Sequence, residues 1–187
     1  MDRYSSRIAD IGSLPDGPLK DVFDHWNKMR GATSVPSCEA ITAGGRLPAS
    51  LRSVLVDVPE RLNEMSFRMF GSGLSLAVGR DYTHYRVLDL EPAAYADLVF
   101  RDYSEVALCA TPVLREVQAE AEDDVRSYQR LVLPLGRDGG RVDGLLAVSV
   151  IDRSFWGVVQ DEWVGAPPSV VDMMGDAEPA VAVGTGR

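Results

Sequence analysis

From residue 53 onward the chain runs in short stretches where apolar and polar positions alternate, and such alternation marks strands. "SVLVDV" (53–58) puts Val54, Val56 and Val58 on one face, and "MSFRMF" (65–70) puts Met65, Phe67 and Met69 on one face. Pro59 and the polar "ERLNE" between them make a turn, so the two strands form an antiparallel hairpin. Three further strands follow near the end. "TPVLREVQA" alternates, and "RSYQRLVLPLG" carries Leu131, Leu133 and Leu135 on one face. "VDGLLAVSVI" is apolar at nearly every position from Leu145 to Ile151, the pattern of a strand covered on both sides. "EAEDD" (120–124) and "RDGG" (137–140) supply the turns between these three.

Elsewhere the period is helical. In "LKDVFDHWNKMRG", Leu19, Val22, Phe23 and Trp26 recur at helical spacing, and Gly31 stops the run. "GLSLAVG" is a short helical segment closed by Gly79. Pro92 suits a first turn, and residues 93–110 then place Tyr95, Leu98, Val99, Tyr103, Val106 and Ala110 near one face. The order is helix, two strands, a helical middle and three strands. This predicts an α+β fold with five antiparallel strands, and the helix over 19–30 is the natural cover for the sheet's second face. Residues 1–18 carry Pro15, Gly17 and Pro18 and read as a loose lead-in to a domain over 19–152. Residues 153–187 read as a short amphipathic helix in "RSFWGVVQDEW" followed by a mobile tail.

Composition narrows the partners. The chain has 187 residues, 45% of them hydrophobic, enough for one domain with its own core. A net charge of −9 repels nucleic acid and anionic membranes. The two cysteines, Cys38 and Cys109, form no CxxC pair, which fits a reducing compartment. The N-terminus has no apolar signal core, and no apolar run approaches the roughly 20 residues of a membrane span. The expectation is a soluble, cytoplasmic protein.

Candidate chemistry is sparse. "FRMFGSGLSLAVGRD" has three glycines, Gly71, Gly73 and Gly79, but no lysine follows them as a phosphate loop needs. The third glycine falls six residues after the second, too far for a dinucleotide-binding turn, so the stretch reads as a sharp exit from a strand. Two histidines, His25 and His84, cannot build a multi-histidine metal site. One suffices as an axial haem ligand, and His84 in "RDYTHYR" is the candidate for that. The acidic residues of 120–124 lack the spacing of a calcium loop. No nucleophile–base pattern stands out, which points away from an enzyme.

Several pieces in order resemble a bacterial family of small, often single-domain PAS proteins. They are Trp26, Arg30, Gly31 and Pro36, the strand over Val54–Val58, Phe67-Arg68, Gly71 and Gly79-Arg80-Asp81 with Thr83. Tyr128, Leu133-Pro134-Leu135 and the Asp138-Gly139 turn complete the set. His84 departs from the pattern, which usually has a small residue after the threonine. The resemblance implies a five-stranded antiparallel sheet in order 2-1-5-4-3, helices on one face, a small cavity beneath them, and a flanking N-terminal helix that commonly pairs two copies. It further implies a non-enzymatic signalling module that binds a small ligand or a protein partner and acts through a separate output protein such as a kinase. The expected pocket walls are Phe67, Met69, Leu98, Leu131, Leu133, Leu146 and Val148, with His84 and Tyr128 as polar contacts. Leu19, Val22, Phe23 and Trp26 would carry a homodimer or partner contact. A haem or redox sensor using His84 and a ligand-free dimeric scaffold are the alternatives.

Overall fold

The computed structural model describes residues 4–43, 50–121, 124–137 and 140–151. The expected C-terminal helix and tail lie outside the described residues, as do the tips of the two last turns. Ten elements follow in order: β1 (Tyr4–Ala9), α1 (Pro18–Arg30), α2 (Cys38–Ile41), β2 (Ser53–Asp57), β3 (Ser66–Phe70), α3 (Ser72–Val78), α4 (Ala93–Cys109), β4 (Val113–Ala121), β5 (Asp124–Gly136) and β6 (Val142–Val150).

The strands form one antiparallel sheet in the order β1-β4-β5-β6-β2-β3. Without β1 this is the expected 2-1-5-4-3 arrangement. The sixth strand corrects the expectation of a loose lead-in. β1 adds to the edge beside β4, in register from Tyr4 opposite Ala119 to Ala9 opposite Leu114. Its sequence, YSSRIA, hides the strand because its inward positions are not uniformly apolar. Tyr4 packs edge-on against Tyr95 of α4, with ring centroids 5.5 Å apart, while Ser6 Oγ donates to the buried carboxylate of Asp102 at 2.8 Å.

The sheet separates two cores. One lies under α3 and α4 and contains Val54, Val56, Phe67, Tyr128, Val132, Leu145 and Ala147. The other lies under α1 and contains Leu55, Leu114, Leu131, Leu133, Leu135, Leu146 and Val148. Successive strand residues alternate between the two cores, except at a bulge in β3. α1 turns Leu19, Val22 and Trp26 onto this second face. Trp26 Nε1 donates to the carbonyl of Pro134 at 2.9 Å, and its ring stacks on Phe23 at 6.3 Å. Pro134 has no N–H to give the ladder. It lies two residues past Val132, where pairing with β4 ends, and its carbonyl is taken by the indole.

Trp26, Leu19 and Val22 are therefore buried against their own sheet and are not available as a free surface for a second copy. Phe23 is half-buried beside them.

α3 follows β3 through Gly71 and ends on Gly79, whose φ of 72° is left-handed and favours glycine. Gly73 meets a different limit: a Cβ placed there would stand 2.7 Å from the backbone carbonyl oxygen of Leu51. Gly73→Ala should lower stability by about 1–3 kcal/mol, since backbone must move to admit the methyl. Urea denaturation of the variant checks this, and an unchanged midpoint would mean that the α3–Leu51 contact is loose.

Candidate functional site

A cavity of about 40 Å³ lies between the sheet and α3 and α4. The sheet contributes Val54, Phe67, Phe70, Arg130 and Ser149 to its wall. The helices contribute Leu74 and Val78 from α3 and Tyr95, Val99 and Tyr103 from α4. Tyr82, Leu90 and Glu91 close it from the connection between the helices, and Glu91 is solvent-exposed there. The volume corresponds to about three water molecules. This is far below the ~300 Å³ or more that drug-sized ligands occupy. In this conformation the cavity suits a molecule of a few heavy atoms.

Of the strand residues expected on the wall, Phe67 is there. Met69, Leu131, Leu133, Leu146 and Val148 belong to the opposite core under α1. For β5 and β6 the reason is the choice of face. The more apolar side of each strand meets α1, whereas the cavity side carries the polar Arg130 and Ser149. For β3 the reason is a bulge. Val56 pairs with Phe67 but the preceding Leu55 pairs with Met69, so the register shifts at Arg68. Phe67 and Met69, two apart in sequence, thus fall on opposite faces. Leu98 lies in the cavity-side core without lining the cavity, and Tyr128 lies beside it, its hydroxyl 2.6 Å from that of Tyr95.

His84 is exposed and outside the wall, in a turn where its φ is 70° and its N–H donates to the Phe67 carbonyl at 2.7 Å. This left-handed φ is one that histidine, like asparagine and aspartate, adopts more readily than most residues. His84 is in no position to ligate a haem inside the fold, which corrects the haem alternative.

The motif preceding it is structural. Asp81 accepts from the Thr83 amide at 2.8 Å and the Thr83 hydroxyl at 2.7 Å, and Thr83 Oγ1 accepts from the Phe70 amide at 3.1 Å. The hydroxyl and amide of Thr83 hold the Asp81 carboxyl below the usual carboxylate range. Arg80 lies over Tyr82 and Tyr85, 5.1 and 4.5 Å from their ring centroids. The marker residues therefore pin the corner that carries Tyr82 and Phe70 into the wall.

A buried polar cluster that the sequence reading did not single out reaches the cavity through Arg130. Arg130 and Asp102 are 2% and 1% exposed, and Arg130 Nη2 donates to Asp102 Oδ2 at 2.6 Å. Asp102 Oδ1 accepts from Ser6 and lies 3.7 Å from Arg115 Nε. Arg115 is also buried, and its Nη2 donates to Glu105. The guanidinium of Arg130 faces the rings of Tyr103 and Tyr128 at 5.5 and 5.9 Å. Burial pushes both phenols up from their ordinary value, so both are neutral at physiological pH. A signal was present: Asp102 sits in phase with the apolar stripe of Leu98, Val99 and Val106, and Arg130 lies between the inward Tyr128 and Val132.

Other candidate groups supply less. Cys38 accepts from Arg68 Nη1 at 3.3 Å, but burial pushes its thiol up, away from a reactive thiolate. Among the described residues no group of acidic, histidine or cysteine side chains gathers as a metal site, and no helix is long and apolar enough to cross a membrane.

A sheet in this order, with α3 and α4 over one face, α1 over the other and a small space beneath α3 and α4, defines an α+β domain. The chain belongs to the PAS domain family, which it matches over residues 16–149. Among solved structures it is similar to the light-state form of the blue-light photoreceptor Aureochrome1 LOV, with 11% identity over 67% of this chain and 97% of that one, at a TM-score of 0.39. The dark form shares 11% identity over 84% of this chain and 97% of its own, at a TM-score of 0.40. An RNA-binding light-oxygen-voltage receptor shares 11% identity over 87% of this chain and 42% of its own, at a TM-score of 0.38. Comparison with curated proteins gives no match.

Proposed function

We propose that this PAS domain is a non-enzymatic sensor that admits a small molecule between its sheet and α3/α4 and passes the change to a separate signalling protein. One observation carries the reading: the cavity has mostly apolar walls and a single buried guanidinium in its floor. An apolar enclosure with few polar groups is the usual chemistry of a ligand site. Occupation would bear directly on α3, on the corner held by Arg80 and Asp81, and on α4, the elements that form the roof.

Xenon tests the enclosure, since a dry apolar space takes it up. Amide resonances lining the cavity should shift under xenon in the native protein. Val99→Phe puts a ring into the space and should remove those shifts at a stability cost of about 1–3 kcal/mol. Leu146→Phe, on the α1 face, should leave them in place. Equal xenon response in native protein and Val99→Phe would sink the placement. The small volume favours a second reading, a scaffold that binds no ligand and works by contact alone. A native protein that shows no xenon shifts at all would select it.

A further inference from the structure

We infer that the cavity takes a small aliphatic carboxylate, with its alkyl part among Val54, Leu74, Val78 and Val99 and its carboxylate on the edge of Arg130 that Asp102 leaves open. This rests on reading the cavity as a ligand site. Three features point to an anion. Arg130 lines the cavity while Nε has no hydrogen-bond partner among the described residues. One buried carboxylate, Asp102, serves two buried guanidiniums, because its Oδ2 takes Arg130 while Oδ1 is divided between Ser6 and Arg115. Glu105 balances Arg115 from a partly solvated position, its side chain 41% exposed. The interior beside the cavity is therefore short of negative charge, and a buried donor without an acceptor is costly.

Orientation follows from the remaining charge. Glu91, the acid on the wall, is exposed at the solvent side and repels an anionic head from that end. The head belongs at the floor and the alkyl tail under α3. A neutral acceptor gains less, because a carboxylate on a guanidinium forms the stronger, charge-assisted bond. The volume restricts the acid to a few heavy atoms, about the size of acetate.

The test uses the full chain with acetate and its neutral isostere acetamide, followed by nitrogen–proton correlation spectra. Acetate should bind about tenfold or more tighter than the amide. It should also move the Arg130 Nε–H resonance in the native protein, a readout that needs no variant. The paired variant Arg130→Met/Asp102→Leu removes both charges together and should abolish the preference. Amide binding as tight as the acid, with xenon still entering, overturns the anion assignment and leaves the cavity reading standing. Failure of acetate, acetamide and xenon alike overturns both. Acetate shifts confined to surface residues, with Arg130 Nε–H unmoved, also overturn the assignment.

Discussion

Replacement of Asp102 by alanine is expected to cost about 3–5 kcal/mol, the usual loss when one partner of a buried ion pair is removed. Three groups depend on that carboxylate: Arg130 at 2.6 Å, Ser6 at 2.8 Å and Arg115 at 3.7 Å. Two guanidiniums would then stay buried with only Glu105, on the solvent side, to answer them. Total domain stability is about 5–15 kcal/mol, so the variant should be partly unfolded or have a sharply lower urea midpoint. Amide exchange should show β1 loosening first, because Ser6 is its polar tie to α4. A loss below about 1 kcal/mol would show that water already reaches the pair. Replacing both Asp102 and Arg130 by apolar residues should recover much of the loss, because no member of that pair remains unpaired.

Trp26→Ala should cost a comparable amount, about 3–5 kcal/mol, through the cavity left under α1. The side chain fills the second core and gives its N–H to Pro134. Trp26→Phe keeps most of the packing and leaves the carbonyl without its donor, so it should cost about 1–3 kcal/mol. Urea denaturation ranks the two. Light scattering on Trp26→Phe should give the same mass as the native chain, since the ring is used within the fold. A change in mass would restore the helix stripe as an association surface.

Much of this architecture can be read from periodicity. β2 to β5, α1 and α4 each carry a repeat of two or about 3.6, β6 is a continuous apolar run, and the glycine and proline positions mark their ends. Gly79 closes α3 and Pro92 precedes α4 as their types predict. β1 escaped because its pattern is defined by partners: Ser6 is inward only because Asp102 is there to receive it. The site was less legible than the fold. Alternation shows that two faces exist but not which helix covers which, and the greasier faces of β5 and β6 turned out to meet α1. The bulge at Arg68 then moved Met69 away from Phe67 without any mark in the hydrophobic pattern.

The sequence by itself determined five of the six strands, the helices α1, α3 and α4, their order and the family, because those follow from local period, turn chemistry and short motifs. Tertiary structure alone decided which core each strand residue enters and that Trp26 closes on Pro134. It also decided that Asp102 of α4 and Arg130 of β5, 28 positions apart, meet under the cavity. Those outcomes depend on sheet register and on charge pairing across elements, and both are set only when the layers pack.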